Sequence, residues 1–167
     1  MIEASETRAR AYLALGSNIG DKAANLRAAV AAIAGLPETR VVAKSAIYRT
    51  PPWGNTDQDW FANAVIAVET GLAPLPLLNA CLDIEIRLGR IRRERWGPRV
   101  IDIDLLIHGT VAMTSDRLSL PHPAMHERAF VLIPLGEIEP EMVIAGRSID
   151  AVIKGLYSQG IEPMDRL

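Results

Sequence analysis

The chain has 167 residues, a formal net charge of −2 and one cysteine. That length suits a single domain, 1–167, which can bury roughly 70% of its unfolded surface without staples. The charge balance argues against general nucleic-acid binding, lone Cys81 excludes an internal disulfide, and no apolar run reaches the roughly 18 residues that suggest a membrane span. The first residues lack the basic and apolar regions of a signal peptide, so a cytoplasmic protein with a loose tail over 1–8 is expected.

Residues 10–15 read as a first strand, ended by Gly16-Ser17-Asn18. Asp21 can cap a helix over 22–34, with Leu26, Ala29, Val30 and Ile33 on one face. A phosphate-loop reading of 16–22 fails on spacing: three residues, not four, separate Gly16 from Gly20, and Asp21 precedes Lys22. A second strand is expected over 41–48, a proline-stiffened polar loop over 49–59, and a third strand over 60–69. Pro74 starts a helix reaching about Leu88, where Cys81 keeps helical spacing with Leu77, Leu78 and Leu82 and reads as packing. An arginine loop over 89–99 leads to a fourth strand over 100–107; helices over 126–138 and 149–158 follow. The order strand, helix, strand, strand, helix, strand is that of a ferredoxin-like α+β sandwich, a largely antiparallel sheet with helices on one face.

The chemistry concentrates in 87–107. Arg87, Arg90, Arg92, Arg93, Arg95 and Arg99 face a single acid, Glu94, before the strand begins. Guanidinium forks match phosphate oxygens. On the strand, Asp102 and Asp104 share a face, roughly 6.5–7 Å apart, opposite Ile101, Ile103 and Leu105. Two carboxylates in an apolar strand repel one another and call for a compensating cation; hard divalent cations take oxygen ligands. Carboxylates for magnesium beside arginines for phosphate suit an enzyme that handles a nucleoside triphosphate. Taken separately, an Asp-x-Asp pair is usually a surface feature and an arginine run a solvated face.

The joint pattern Arg95-Trp96-Gly97-Pro98-Arg99-x-x-Asp102-Ile103-Asp104-Leu105-Leu106 is far more restrictive. Together with Ala14-Leu15-Gly16-Ser17-Asn18, Tyr48-Arg49-Thr50-Pro51-Pro52, Phe61-x-Asn63-Ala64 and Pro121-His122-Pro123, it resembles the 6-hydroxymethyl-7,8-dihydropterin pyrophosphokinase family of folate biosynthesis, from about Ala11 onward. The resemblance implies transfer of pyrophosphate from ATP to the pterin, with release of AMP. It implies two magnesium ions bridging Asp102, Asp104 and ATP. Arg90 and Arg92 would lie in a loop that closes over ATP; the loop is one residue shorter than usual, so Arg92 and Arg93 can exchange roles. Glu85, Arg95, Trp96, Arg99, Leu105, Arg117, Ser119, His122 and Arg128 fall on nucleotide-contacting positions. Thr50, Pro51, Trp53, Phe61, Asn63 and Phe130 fall on pterin-contacting positions, Phe61 and Phe130 as the stacking pair. Trp53 is larger than the usual aliphatic residue, and Pro123 replaces a frequent aromatic. His108 and His126 carry no such support and read as structural. Asp104 is also placed to accept the proton of the attacking hydroxyl.

The expected partners are ATP and the pterin, with no nucleic acid and no membrane, and the chain is expected to be a monomer. Competing readings keep the nucleotide and metal but change the reaction to nucleotidyl transfer or phosphohydrolysis. Another competing reading makes the sheet a single-stranded RNA-binding module.

Overall fold

The computed structural model describes residues 8–52, 57–89 and 100–167. Trp53, Arg90, Arg92, Arg93, Arg95, Trp96 and Arg99 lie outside the described residues.

Strand β1 (Ala9–Ser17) turns into helix α1 (Lys22–Ala34), which begins where expected because the Asp21 carboxylate accepts the Ala24 N–H at 3.1 Å. The strand expected over 41–48 is two, β2 (Thr39–Lys44) and β3 (Ala46–Thr50). Ser45 causes the break. Its backbone N–H donates to the Val65 carbonyl, while its hydroxyl accepts the Val65 N–H, both at 2.9 Å, so a side chain replaces one rung of the ladder. Strand β4 (Phe61–Thr70), helix α2 (Pro74–Arg87) and strand β5 (Asp102–His108) complete the expected order. The last begins two residues later than the sequence suggests, at the rung where Asp102 pairs with Gly16 near the end of β1.

Two small hairpins, β6 (Met113–Thr114) with β7 (Ser119–Leu120) and β8 (Val143–Ile144) with β9 (Arg147–Ser148), lie outside the main sheet. The helix expected over 126–138 is a 3-10 turn, Met125–Glu127, then α3 (Ala129–Ile138), separated by extended Arg128 at φ −114° and ψ 96°. Helix α4 (Ile149–Lys154) stops at Gly155, short of the expected 158. The final strand, β10 (Glu162–Arg166), was not expected. Its proline and charges hide it, but an edge strand tolerates both. Arg27 holds it by pairing with Asp165 at 3.0 Å and donating to the Arg166 carbonyl at 2.6 Å.

The main sheet runs β10-β3-β4-β1-β5, with β2 beside β4, and its pairings are antiparallel. Helices α1 and α2 cover one face, as expected. Leu26, Ile33, Leu77, Cys81 and Ile84 meet Leu13, Leu15, Ile66, Ile103 and Leu105 there. Against expectation for a one-sided sheet, α3 and α4 add a second layer. Leu132, Leu135 and Ile149 pack with Tyr12, Val65, Ala67 and Leu106 on the opposite face. Alternate residues of β1 and β4 therefore both find apolar partners, which explains their nearly unbroken apolar runs.

Two acids fasten α3 to the sheet. Glu137 accepts from Tyr48 Oη at 2.6 Å and from the Ala46 N–H at 2.8 Å. Glu139 accepts from Tyr12 Oη at 2.8 Å and pairs with Arg10 at 2.7 Å. Burial, then the Glu137 carboxylate, raises the Tyr48 pKa, so the phenol stays protonated and donating. Tyr48→Phe should cost about 1 kcal/mol, and Glu137→Ala more, because it also strips the Ala46 N–H of its acceptor. Urea unfolding should show a lower midpoint at unchanged m-value for both variants; equal stability of all three proteins would contradict this anchoring.

Candidate active site

Helix α3 leaves the end of its sheet face nearest Ser17, Phe61 and Asp102 for other residues. Strand register assembles them. Asn63 and Asp102 both pair with Gly16, from opposite sides of β1, and Tyr48 pairs with Asn63 from β3. Two rungs further along, Val65 and Asp104 flank Ala14. On the outer side, Thr50 pairs with Phe61. Thr50, Phe61, Asn63, Asp102 and Asp104 thus share a face, and about 10 Å, two strand spacings, separates the Asn63 backbone from that of Asp102.

Gly16 sits between them. A Cβ there would lie 3.0 Å from Asn63 Oδ1, so the amide lies over the strand only because the residue is glycine. Asn63 Nδ2 donates to Thr50 Oγ1 at 3.0 Å, which fixes the amide orientation and points Oδ1 along the sheet. Thr50 is almost fully buried, Asn63 is 9% exposed, and Phe61 is half-buried. Pro51 is braced from behind by the C-terminal segment: a Cβ on Gly160, whose φ is +84°, would lie 2.7 Å from Pro51 Cγ. Phe130 lies in the first turn of α3, half-buried at the margin of the second core.

Asp102 is half-buried and Asp104 exposed, while Ile101, Ile103 and Leu105 are buried beneath them, as the alternation predicts. His122 borders this edge. Its N–H donates to the Leu106 carbonyl at 2.8 Å, and its Nδ1 accepts the Ala124 N–H at 3.2 Å, placing the imidazole proton on Nε2. Burial lowers the His122 pKa; Asp104 opposes that shift and Arg128 reinforces it. The ring is therefore a neutral donor at pH 7.

Other expected residues stand apart. Arg117 donates to Asn79 on α2, and Ser119 lies half-buried on β7. The Leu105 side chain, 3% exposed, belongs to the core under α1 and α2, on the face away from Asp104. Glu85, 2% exposed, lies on α2. Cys81 is inert packing: burial first, then Glu85 and Asp104, pushes its pKa up to about 12. His108 is structural, its Nε2 2.8 Å from the Leu72 carbonyl.

Residues 12–140 match the model of the 7,8-dihydro-6-hydroxymethylpterin-pyrophosphokinase family. The chain belongs to that family. It is 56% identical over 156 residues to 2-amino-4-hydroxy-6-hydroxymethyldihydropteridine pyrophosphokinase of Methylorubrum extorquens, covering 93% of this chain and 99% of the relative. The Pseudomonas aeruginosa enzyme of the same name is 44% identical over 154 residues, covering 92% of this chain and 95% of the relative. A crystal structure of Plasmodium falciparum HPPK-DHPS with pteroate shares the fold at a TM-score of 0.71 and 13% identity. That match takes in 89% of this chain but 44% of the longer parasite chain. Ferredoxin-like architecture is thus common to this pyrophosphokinase-family chain and to a distant structure. What sequence reading missed is the space above Gly16: the glycine was visible as part of a turn, but its strand partner Asn63 was not.

Gly16→Ala should displace the Asn63 amide and weaken its bond to Thr50, at a cost of about 1–2 kcal/mol. In an Asn63→Ala background, the same glycine change should cost distinctly less. Denaturant unfolding of the four proteins measures the difference; strict additivity would show that Asn63 is not what the glycine accommodates.

Proposed function

We propose that this chain transfers pyrophosphate from ATP to the hydroxymethyl oxygen of 6-hydroxymethyl-7,8-dihydropterin, with two magnesium ions, as a cytoplasmic monomer independent of nucleic acid. The observation that carries the site assignment is the rung in which Asn63 and Asp102 meet across Gly16. It supports the reading because an amide that can both donate and accept, and a carboxylate of the kind magnesium takes, share one sheet face. Family membership and the similar enzymes support the reaction.

The pterin would stack between Phe61 and Phe130, with its edge on the Asn63 amide and on the loop carrying Thr50, Pro51 and Trp53. The Asp102–Asp104 pair fits magnesium. Among the described residues no group of three or more His, Cys, Asp or Glu makes a protein-only cage, and magnesium typically uses one or two carboxylates, keeps water and adds substrate phosphates. A metal held by Asp102 and Asp104 would neutralise phosphate charge and orient the polyphosphate for in-line displacement. Glu85, Arg92, Arg95, Trp96, Arg99, Leu105, Arg117, Ser119, His122 and Arg128 would hold the nucleotide. Leu105 can do so only through its backbone, since its side chain is buried. His122, neutral with its proton on Nε2, suits a phosphate oxygen. Arg90 and Arg92, outside the described residues, would hold the outer phosphates.

In the reaction the hydroxymethyl oxygen bonds to the β-phosphorus, the bond from that phosphorus to the oxygen bridging it to the α-phosphorus breaks, and AMP leaves. Asp104 takes the hydroxyl proton. Purified protein given ATP, magnesium and the pterin should yield AMP and pterin diphosphate in equal amounts. Matched ADP would mean a simple kinase, and ATP loss indifferent to pterin a hydrolase.

Asp102→Ala and Asp104→Ala should each nearly abolish turnover while leaving a folded protein with a native circular dichroism spectrum. Near-normal magnesium-dependent activity in either would remove the metal assignment. Arg90→Ala and Arg92→Ala should lower kcat far more than ATP affinity, as expected of groups that engage once both substrates are present. Equal losses in both quantities would make them static binding groups.

A further inference from the structure

The segment entering β4 carries a cluster that none of the expected site residues includes. Lys22, in the first turn of α1, is 8% exposed although it carries a charge. Its Nζ donates to Asp59 Oδ2 at 2.8 Å and lies 4.0 Å from the centre of the Trp60 ring. Arg49, on β3, places its guanidinium carbon 4.7 Å from the centre of the same ring. The other Asp59 oxygen accepts the Trp60 N–H at 2.9 Å. The bond to Lys22, then that from Trp60, holds the Asp59 carboxyl below its ordinary pKa, so it stays charged at neutral pH. One residue earlier, Gln58 Oε1 accepts from Asn18 Nδ2 at 3.1 Å. Three elements therefore converge on Trp60: the N-terminus of α1, the end of β3 and the entry to β4.

A buried lysine is unusual unless it is paired. Here the ammonium has an exposed carboxylate on one side and an aromatic face on the other, and the contact with the ring is the one that strengthens as the buried lysine is shielded from water. Trp60 packs on the first core, on the α1 side of the sheet. Phe61 is the next residue, so its side chain emerges on the opposite face. Phe61 is also the first residue of β4, and among the described residues its ladder partner is Thr50 on β3. At a strand end fewer ladder partners restrain the backbone that sets a side chain's direction, so the hold on Trp60 contributes to the placement of Phe61.

We infer that Trp60, gripped by Lys22 and Arg49 and latched by Asp59, is a positioning device that sets the angle of Phe61 for stacking on the pterin. The inference rests on the functional reading above. Trp60 and Lys22 touch no substrate; they act through Phe61 from the far side of the sheet. The clamp acts on the heterocycle end of the site and leaves the acid pair on β5 untouched. Its loss should thus separate the two substrates.

The test measures binding of 6-hydroxymethyl-7,8-dihydropterin and of magnesium-ATP separately by calorimetry, with steady-state kinetics and thermal unfolding, for Lys22→Met, Lys22→Arg and Trp60→Leu. Lys22→Met should weaken pterin binding and raise its KM about tenfold, with ATP affinity within about twofold and kcat little changed. Trp60→Leu should do the same or more. Lys22→Arg, which keeps the charge over the ring, should restore most of the pterin affinity. Folded Lys22→Met and Trp60→Leu proteins with ordinary pterin affinity would overturn the clamp, as would a parallel loss of both substrates or no rescue by arginine. If Trp60→Leu does not fold, the lysine pair decides alone. Failure of the unsubstituted protein to bind pterin would overturn the functional reading and this inference together, whereas the variant outcomes bear on the clamp alone.

Discussion

Asp102 and Asp104 project from a strand whose intervening residues are held in the core. Ile101, Ile103 and Leu105 are each almost completely buried under α1 and α2. Burying such a side chain favours the native register by about 1.5–3 kcal/mol. A slip of one residue would expose all three and push both carboxylates into the core. The hydrophobic effect thereby fixes the position of two charges that have no intrinsic reason to sit together. Because β5 pairs with β1 and β1 with β4, the same register sets where Asn63 lies relative to the acids. The geometry of the polar face is written by the packing of the apolar one.

The two faces are covered unequally, and that inequality leaves the end of one face outside the core. Helices α1 and α2 lie along one side, whereas the layer built on α3 stops near Phe130. Two glutamates, Glu137 and Glu139, fix how far α3 reaches, through Tyr48, Ala46, Tyr12 and Arg10. These contacts join residues distant in sequence, so they also define the margin of the open area. The C-terminal strand extends the logic. Pairing of β10 with β3 brings Gly160 against Pro51 and stiffens the wall opposite the acids.

The main architecture and the acid pair were legible because both rest on local periodicity. Alternation on β5 separates Asp102 and Asp104 from Ile103 and Leu105 whatever the rest of the chain does. Helix α1 was legible to the residue because a side-chain cap, Asp21, is a short-range signal. The features that escaped are those in which a distant residue overrides the local pattern. Ser45 breaks a continuous β-prone run because the Val65 amide lies beside it. Strand β10 has a sequence that reads as loop, and only the free edge of β3 and the reach of Arg27 make it a strand. Leu105 matches a nucleotide-contacting position by motif, yet alternation turns its side chain away, a consequence available from the sequence once backbone and side-chain contact are kept distinct.

The charges on the described part of the sheet weigh differently on two uses of a ferredoxin-like sheet. An RNA-binding sheet stacks bases on aromatics over its central strands and has basic groups around them. Here the part of that face not covered by the second core shows Gly16 and Asn63 from the central strands, and the adjacent strand presents two carboxylates. The aromatics stand at the margins, Phe61 at the start of β4 and Phe130 at the start of α3. A continuous nucleic acid crossing that face would bring phosphates against Asp102 and Asp104, whose repulsion grows as water is excluded. A short polyphosphate that arrives with its own divalent cations would reverse the sign of that interaction, with the Asn63 amide over Gly16 as a hydrogen-bonding group on the same face. Acids that would repel a bare polyanion on this face would favour a nucleotide arriving with its own metal.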